Sequence, residues 1–308
     1  MSDVKSESIN VVFCAVDFSE TASLALTHAS QLARQHGAGL ILAHVVEPLP
    51  VVSYPILMVP MDAEIELREF ASARLEELAE TVRKSGLTVF TGLEHGPPGP
   101  HLIEMAEGAD ADIVVIGTRG LTGFEHFVLG STAEYVVRRS RCPVLTVHPG
   151  DDSPMDPVKL VIVPTDLGPK SGDAVDAFAQ IFSGDDRPRV LLVFADPTPP
   201  YLEPFRHETL EKWGQQDVRK EDIEEKMAPT VARFESAGFE VETEILDGGP
   251  VQAVTELAKE READMILMST HGRSALANVL VGRTAQRIVQ HAPCLVLTIR
   301  SSKEEAAE

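Results

Sequence analysis

One pattern is written twice in this chain. GTRGLTGFEHFVLGST occupies residues 117–132 and STHGRSALANVLVGRT occupies residues 269–284. The offset is 152 residues (269 − 117), and two aspartates that follow apolar runs, Asp17 and Asp166, lie 149 apart (166 − 17). A period near half of 308 residues is far longer than a solenoid repeat and matches one compact domain. Each copy must then bury a core of its own. This predicts a first domain over 1–148, a linker rich in proline and acid over 149–157, a second domain over 158–300 and an acidic tail over 301–308.

Within each copy, apolar runs alternate with amphipathic stretches. INVVFCAVD, GLILAHVVE, LTVFTGLEHG, ADIVVIG and CPVLTVH read as the strands of the first copy, several of them nearly continuous in Val, Ile and Leu, as strands buried on both faces of a parallel sheet are. Helices are expected between them. The first is capped by Ser19, carries Ala22, Ala25, Leu26, Ala29, Leu32 and Ala33 at helical spacing, and ends before Gly37. Others are expected over 64–84, 100–107 and 131–140. The second copy repeats the order: VKLVIVPTDLG, a helix over 170–182, RVLLVFAD, a helix ending near Gly238, FEVETEILDGG, a helix after Pro250, ADMILMS, a helix from about Thr284, and CLVLTI. Such alternation predicts an α/β fold, a parallel sheet with helices on both faces, whose ligands bind at strand carboxyl ends where the strand order reverses. If the first and fourth strands are neighbours there, Asp17 and the loop from Gly117 share one cleft.

Charge narrows the partners. A formal charge of −21 argues against nucleic acid and anionic membranes, since affinity for both rests on Lys and Arg. A local anion site survives this argument, because backbone N–H groups hold phosphate without cations. Cys14, Cys142 and Cys294 lack C-x-x-C spacing and fit buried small hydrophobes in a reducing compartment. The polar start MSDVKSESIN has no apolar core of a signal peptide, and no run of about 18 apolar residues occurs, so a cytoplasmic location is expected.

The glycine pattern carries the chemistry. Gly117 ends a strand, Gly120 permits a tight turn, and Gly130, Ser131 and Thr132 open a helix, so free N–H groups, the helix dipole and two hydroxyls would meet an anion such as a nucleotide triphosphate. Neither the G-x-x-x-x-G-K-[ST] loop nor the G-x-G-x-x-G fingerprint is present. Arg119 would either reach phosphate or stand solvated in the loop, and Asp17 would either bind ligand or cap the strand-to-helix turn. His95 with His101, and Glu125 with His126, lack the spacing of a metal site. No G-x-S-x-G elbow marks a serine hydrolase.

VDFSE after the first strand, AHVVE at the second, HGPPG at the third, and G-x-x-G, nine residues, then G-S at Gly117, Gly120, Gly130 and Ser131 together resemble the universal stress proteins in their tandem form. The resemblance implies two tandem Rossmann-like (adenine nucleotide alpha hydrolase-like) domains, each with a five-stranded parallel sheet. It implies ATP, or ADP or AMP, with Mg2+ beside the phosphates. By position, Asp17 would meet the adenosine end and Val45 the adenine through its backbone, while Gly117, Gly120, Gly130, Ser131 and Thr132 would hold ribose and phosphates.

The second copy keeps Asp166, Gly272, Gly282 and Thr284 as a possible second site, but Ser269 replaces the first glycine and Arg283 the serine. A guanidinium at that helix start would either occupy the phosphate position or clamp a phosphate. The expected function is an ATP-binding stress-response sensor or scaffold with one competent site, a regulatory protein partner, hydrolysis slow if present, and a homodimer left open. The alternative is a structural interaction module without nucleotide.

Overall fold

The computed structural model of the protein describes residues 9–48, 63–119, 129–151, 157–168, 171–172, 174–184, 186–196, 220–269 and 282–300. The chain divides into two compact units, Met1–Asp152 and Ser153–Glu308. Unit 1 runs β1 (Val11–Ala15), α1 (Glu20–His36), β2 (Gly39–Val46), α2 (Ala63–Arg83), β3 (Val89–His95), α3 (Pro98–Gly108), β4 (Ile113–Gly117), α4 (Ser131–Arg139) and β5 (Val144–Val147). Its strands are parallel and ordered β3-β2-β1-β4-β5. The order reverses between β1 and β4, where Val12, Phe13 and Cys14 face Ile113, Val114 and Val115.

Sequence chemistry explains the helices. The Ser19 hydroxyl caps α1, Ala25, Ala29, Leu32 and Ala33 give it a fully buried stripe, and Gly37 at φ 65° ends it in the left-handed region. The third helix begins at Pro98 rather than at Pro100 as expected. Prolines in a first helical turn lose no intrahelical bond, so the turn simply absorbs both. Two successive residues of β3 show that helices cover both faces: the Thr91 hydroxyl donates to Glu76 of α2, while a Cβ on Gly92 would meet Met105 of α3. Phe13, Leu32, Leu40, Leu42, Leu75, Ile113 and Leu145 fill the core between.

Unit 2 repeats the plan with β6 (Leu160–Pro164), α5 (Val175–Ile181), β7 (Arg189–Asp196), α6 (Lys220–Ser236), β8 (Val241–Asp247), α7 (Pro250–Glu260), β9 (Met265–Ser269), α8 (Arg283–His291) and β10 (Leu295–Ile299). Its order is β10-β9-β6-β7-β8, again parallel. Phe178 packs on Phe234 and Phe239 with ring centroids 5.9 and 5.0 Å away. The helix expected over 170–182 starts only at Val175. Asp166 Oδ1 accepts from the Gly168 N–H (2.9 Å) and the Ser171 hydroxyl (3.2 Å), and Val175 N–H reaches Gly172 C=O, so a further turn is inserted before the helix.

The copies share a frame at the amino ends of their strands. Asp112 Oδ2 accepts from the N–H groups of Asn10 (2.6 Å) and Val11 (2.9 Å), and Asp264 Oδ2 accepts from Lys159 (2.7 Å) and Leu160 (2.9 Å). Each carboxylate pins the start of one strand to the start of its neighbour. Asp110 and Glu262, two residues earlier, both hold positive φ, 48° and 51°.

Among the described residues no helix is long and apolar enough to cross a membrane. Burial pushes the Cys14 thiol up to about 12 and raises Cys142 as well, which leaves both poor nucleophiles. His28 of α1 is buried beside Asp151, and that burial lowers its pKa from the ordinary value, partly offset by the neighbouring Asp151 backbone and Gln31 side chain. The unfolded chain therefore takes up this proton near pH 6.5 and the folded chain only at lower pH. Stability is complete above that value and is lost as pH falls through and below it. Urea unfolding between about pH 7.5 and 5.5 should show a loss of at most about 1.4 kcal/mol per pH unit from this group, and His28→Gln should remove that component.

Candidate functional site

The β1–β2 register ends at Ala15 and Ala43. Val16 N–H still donates to Ala43 C=O at 2.8 Å, and then the chain turns, with Phe18 at φ 63°. A side chain other than glycine is disfavoured there, so the surroundings must hold it. Asp17 Oδ1 accepts from the Ser19 N–H (3.0 Å) and hydroxyl (2.5 Å), while Ser19 Oγ accepts from the Ala22 N–H at 3.1 Å. One carboxylate oxygen thus closes the turn from which α1 grows, with Asp17 half-buried at the carboxyl end of β1.

The neighbouring strand delivers the glycine loop to the same place. Ser19 Oγ lies 3.5 Å from the Arg119 carbonyl, so the Asp17 turn and the loop after β4 meet where the strand order reverses. Thr118 anchors that loop: its N–H and hydroxyl donate to Val147 C=O (2.8 and 3.1 Å), and its carbonyl accepts from Gly130 N–H (2.8 Å). Gly130 is the N-cap of α4 and supplies no side-chain cap. Among the described residues the first N–H groups of α4 are therefore available, beside an exposed Ser131 and a half-exposed Thr132. Arg119 is half-buried. Gly120 lies outside the described residues.

Gly117 has a packing reason to be glycine. A Cβ there would stand 2.9 Å from Thr21 Cγ2 and 3.2 Å from the Thr21 backbone carbon, so α1 sits directly on the end of β4. Val45 is placed by strand parity. Gly39 donates to Asn10 on the β1 side and Leu40 to Thr88 on the β3 side, so odd residues of β2 turn their backbone groups toward β1. Val45 is odd and lies two residues past Ala43, the last rung, so its N–H and C=O face the space that β1 has left.

Unit 2 assembles a different rim. Leu167, the counterpart of Phe18, is at φ 59°, but its N–H donates to the Thr165 hydroxyl (3.0 Å), which in turn donates to Ser171 Oγ (2.9 Å). Where unit 1 has Gly117 beneath Thr21, unit 2 has Ser269, whose buried hydroxyl has no hydrogen-bond partner among the described residues. Counted from Glu20 at the offset of 149, its helix would begin at 169, yet it begins at Val175. Gly282 caps α8 without a side-chain bond, and Arg283 and Thr284 are exposed. Gly272 lies outside the described residues. A cavity of about 590 Å³ lies between Leu167, Gly168 and Gly172 and the α6 side chains Lys226, Pro229 and Arg233.

Three contributors have no local signal in sequence: Thr118, His44 and the Asp112 pin all act on backbone groups at least 28 residues away. The recurrence of the aspartate as Asp264, at the common offset of 152 (264 − 112), is the one clue that comparison of the copies offers. The unit 1 rim can hold an anion at a helix start and present backbone groups to a planar ring. Among the described residues no group of three His, Cys, Asp or Glu side chains is arranged to hold a metal.

Comparison with known proteins returns the same two-copy plan. A universal stress protein of Mycolicibacterium smegmatis is 26% identical over 306 residues, covering 96% of this chain and 99% of that one. One from Methanocaldococcus jannaschii is 33% identical over 132 residues, covering 42% of this chain and 77% of that protein. In fold, the crystal structure of a universal stress protein from Archaeoglobus fulgidus matches over 97% of this chain and 98% of that one with a TM-score of 0.67 at 18% identity. The universal stress protein family itself matches twice, over residues 9–148 and 157–300, once for each unit described above. Both halves being accounted for in this way, the chain belongs to the universal stress protein family.

Proposed function

We propose that unit 1 binds an adenine nucleotide, ATP in the first instance, and that the protein acts as a nucleotide-dependent sensor or scaffold in a stress response. The observation that carries this is the meeting of the Asp17 turn and the Thr118–Gly130 anchor at the reversal of strand order, with the uncapped start of α4 behind it. Helix starts of this kind stabilise phosphate through N–H groups and dipole. In this reading Gly130, Ser131 and Thr132 hold the phosphates, Arg119 and Gly120 border them, the Val45 backbone reads the base, and Asp17 meets the adenosine end. The residues fit the group: Gly130 places no side chain in the cradle, and a Cβ there would press on Thr118 O at 3.2 Å. Mg2+ would travel with the phosphates and neutralise their charge.

The reading assigns binding rather than turnover. A nucleotide that prefers one conformation of the protein shifts the population toward it, which is how a binder reports nucleotide supply to a protein partner. For unit 2 the later helix start and Ser269 favour a structural role, with Asp166 spent on its own turn.

The test is a nucleotide count. Freshly purified protein is denatured, and the released nucleotide is identified by chromatography and mass and counted per chain, with Gly120→Val in parallel. About one adenine nucleotide per chain, lost in the variant, is expected from one cradle. Two per chain would contradict the assignment of unit 2, and none, with no binding of added ATP and Mg2+, would leave the structural reading.

A further inference from the structure

The unit 1 turn carries a strained residue whose restraint comes from another strand. His44 of β2 reaches across to β1: its Nδ1 is 2.6 Å from the Val16 carbonyl. A carbonyl only accepts, so Nδ1 carries the proton and donates. The imidazole also packs against the ring of Phe18, with centroids 4.5 Å apart at 42°. Val16 is 5% exposed, so without this bond its carbonyl would be a buried acceptor beside an open backbone edge.

Strand parity says what that acceptor would otherwise take. Gly39 N–H donates to Asn10 C=O, and the alternation carried up the strands pairs residue 45 with the carbonyl of residue 16. That rung is absent: among the described residues Val16 N–H reaches Ala43, but Val45 N–H does not reach Val16. The histidine occupies the carbonyl instead. Unit 2 holds the same left-handed turn by other means. The position of His44 is taken there by Phe194, aligned through the equivalent bonds Val16 to Ala43 and Thr165 to Val193, and the Thr165 hydroxyl accepts from Leu167 N–H. Val16 has no hydroxyl to do this.

We infer that His44 is a positioning residue of the unit 1 site: from β2 it braces the left-handed turn that carries Asp17, and by taking the Val16 carbonyl it leaves the Val45 backbone edge open to a ligand. This rests on the nucleotide reading for the identity of the ligand, and on the turn geometry alone for the brace.

The experiment compares the full-length chain, stripped of nucleotide, with three variants: His44→Phe, which copies unit 2; His44→Asn, which puts an amide N–H near the position of Nδ1; and His44→Phe combined with Val16→Thr, which imports the brace of unit 2. Two quantities are read: affinity for ATP with Mg2+ by calorimetric titration, and hydrogen exchange of the Ser19 amide without nucleotide. Loss of the brace should weaken binding about tenfold and speed Ser19 exchange by a similar factor in His44→Phe. His44→Asn and the double variant should recover most of both. Wild-type affinity and exchange in His44→Phe would overturn the inference. So would failure of both rescues, because the imidazole would then matter by touching ligand or by packing. If the wild-type chain binds no nucleotide, the ligand reading and the open-edge role fall with it, while Ser19 exchange still decides whether His44 braces the turn.

Discussion

Ser131→Glu should bind ATP at least about a hundredfold more weakly than the wild-type chain while unfolding at slightly higher denaturant. The residue is exposed at the first position of α4, whose N-cap, Gly130, leaves the initial N–H groups without a side-chain partner among the described residues. A carboxylate there interacts favourably with the helix dipole, worth about 0.3–1 kcal/mol. Toward a triphosphate the same charge is repulsive, and one like-charge pair about 4 Å apart costs about 4 kcal/mol at an effective dielectric near 20. Opposite signs make the variant informative. A destabilising substitution lowers both quantities together, whereas only a phosphate seat on this helix start separates them. Unchanged affinity, read by titration with Mg2+ present, would remove the phosphates from α4.

Gly117→Val should cost about 3 kcal/mol of unfolding free energy, because the new Cβ enters a space already filled. Thr21 could swing its methyl aside, but the Thr21 backbone carbon, 3.2 Å from the added atom, belongs to α1 and moves only with the helix. Adding Thr21→Ala should therefore recover part of the loss and no more. Equilibrium urea unfolding decides it. A variant of wild-type stability would mean that the glycine serves only the ligand, and the packing account would be wrong. In unit 2 this position is Ser269, and the helix after β6 begins only at Val175.

The alternation of apolar runs with amphipathic stretches makes the strands and helices of both units readable, because parallel strands buried on two faces leave an unmistakable Val and Ile signature at INVVFCAV and VKLVIV. Helix starts were less readable. Pro98 and Pro100 are equally acceptable in a first turn, and nothing local to residue 170 reveals that Asp166 and Ser171 divert the chain. At the site, the glycine spacing identified the loop but assigned Gly117 to anion approach, whereas a tertiary contact with Thr21 demands it as well. The sequence leaves Asp17 open between binding and capping, and its Oδ1 is engaged by Ser19. His44 and Thr118 carry no local signal because each acts on a carbonyl 28 or 29 residues away. Such bonds depend on which strands become neighbours, and that is a property of the assembled sheet.

Asp112 and Asp264 have a bearing on how two copies of one plan can diverge. Each carboxylate joins two strand starts, at the opposite end of the strands from the rim where ligand would sit. Mutations that erode one rim leave the pins at the far strand ends untouched, so a copy relieved of selection for its ligand can keep folding while its pocket drifts. The exchange of His44 for Phe194, and of Gly117 for Ser269, lies at the carboxyl ends of the strands, where that freedom is expected. In a chain built this way, divergence in recognition does not entail loss of the scaffold.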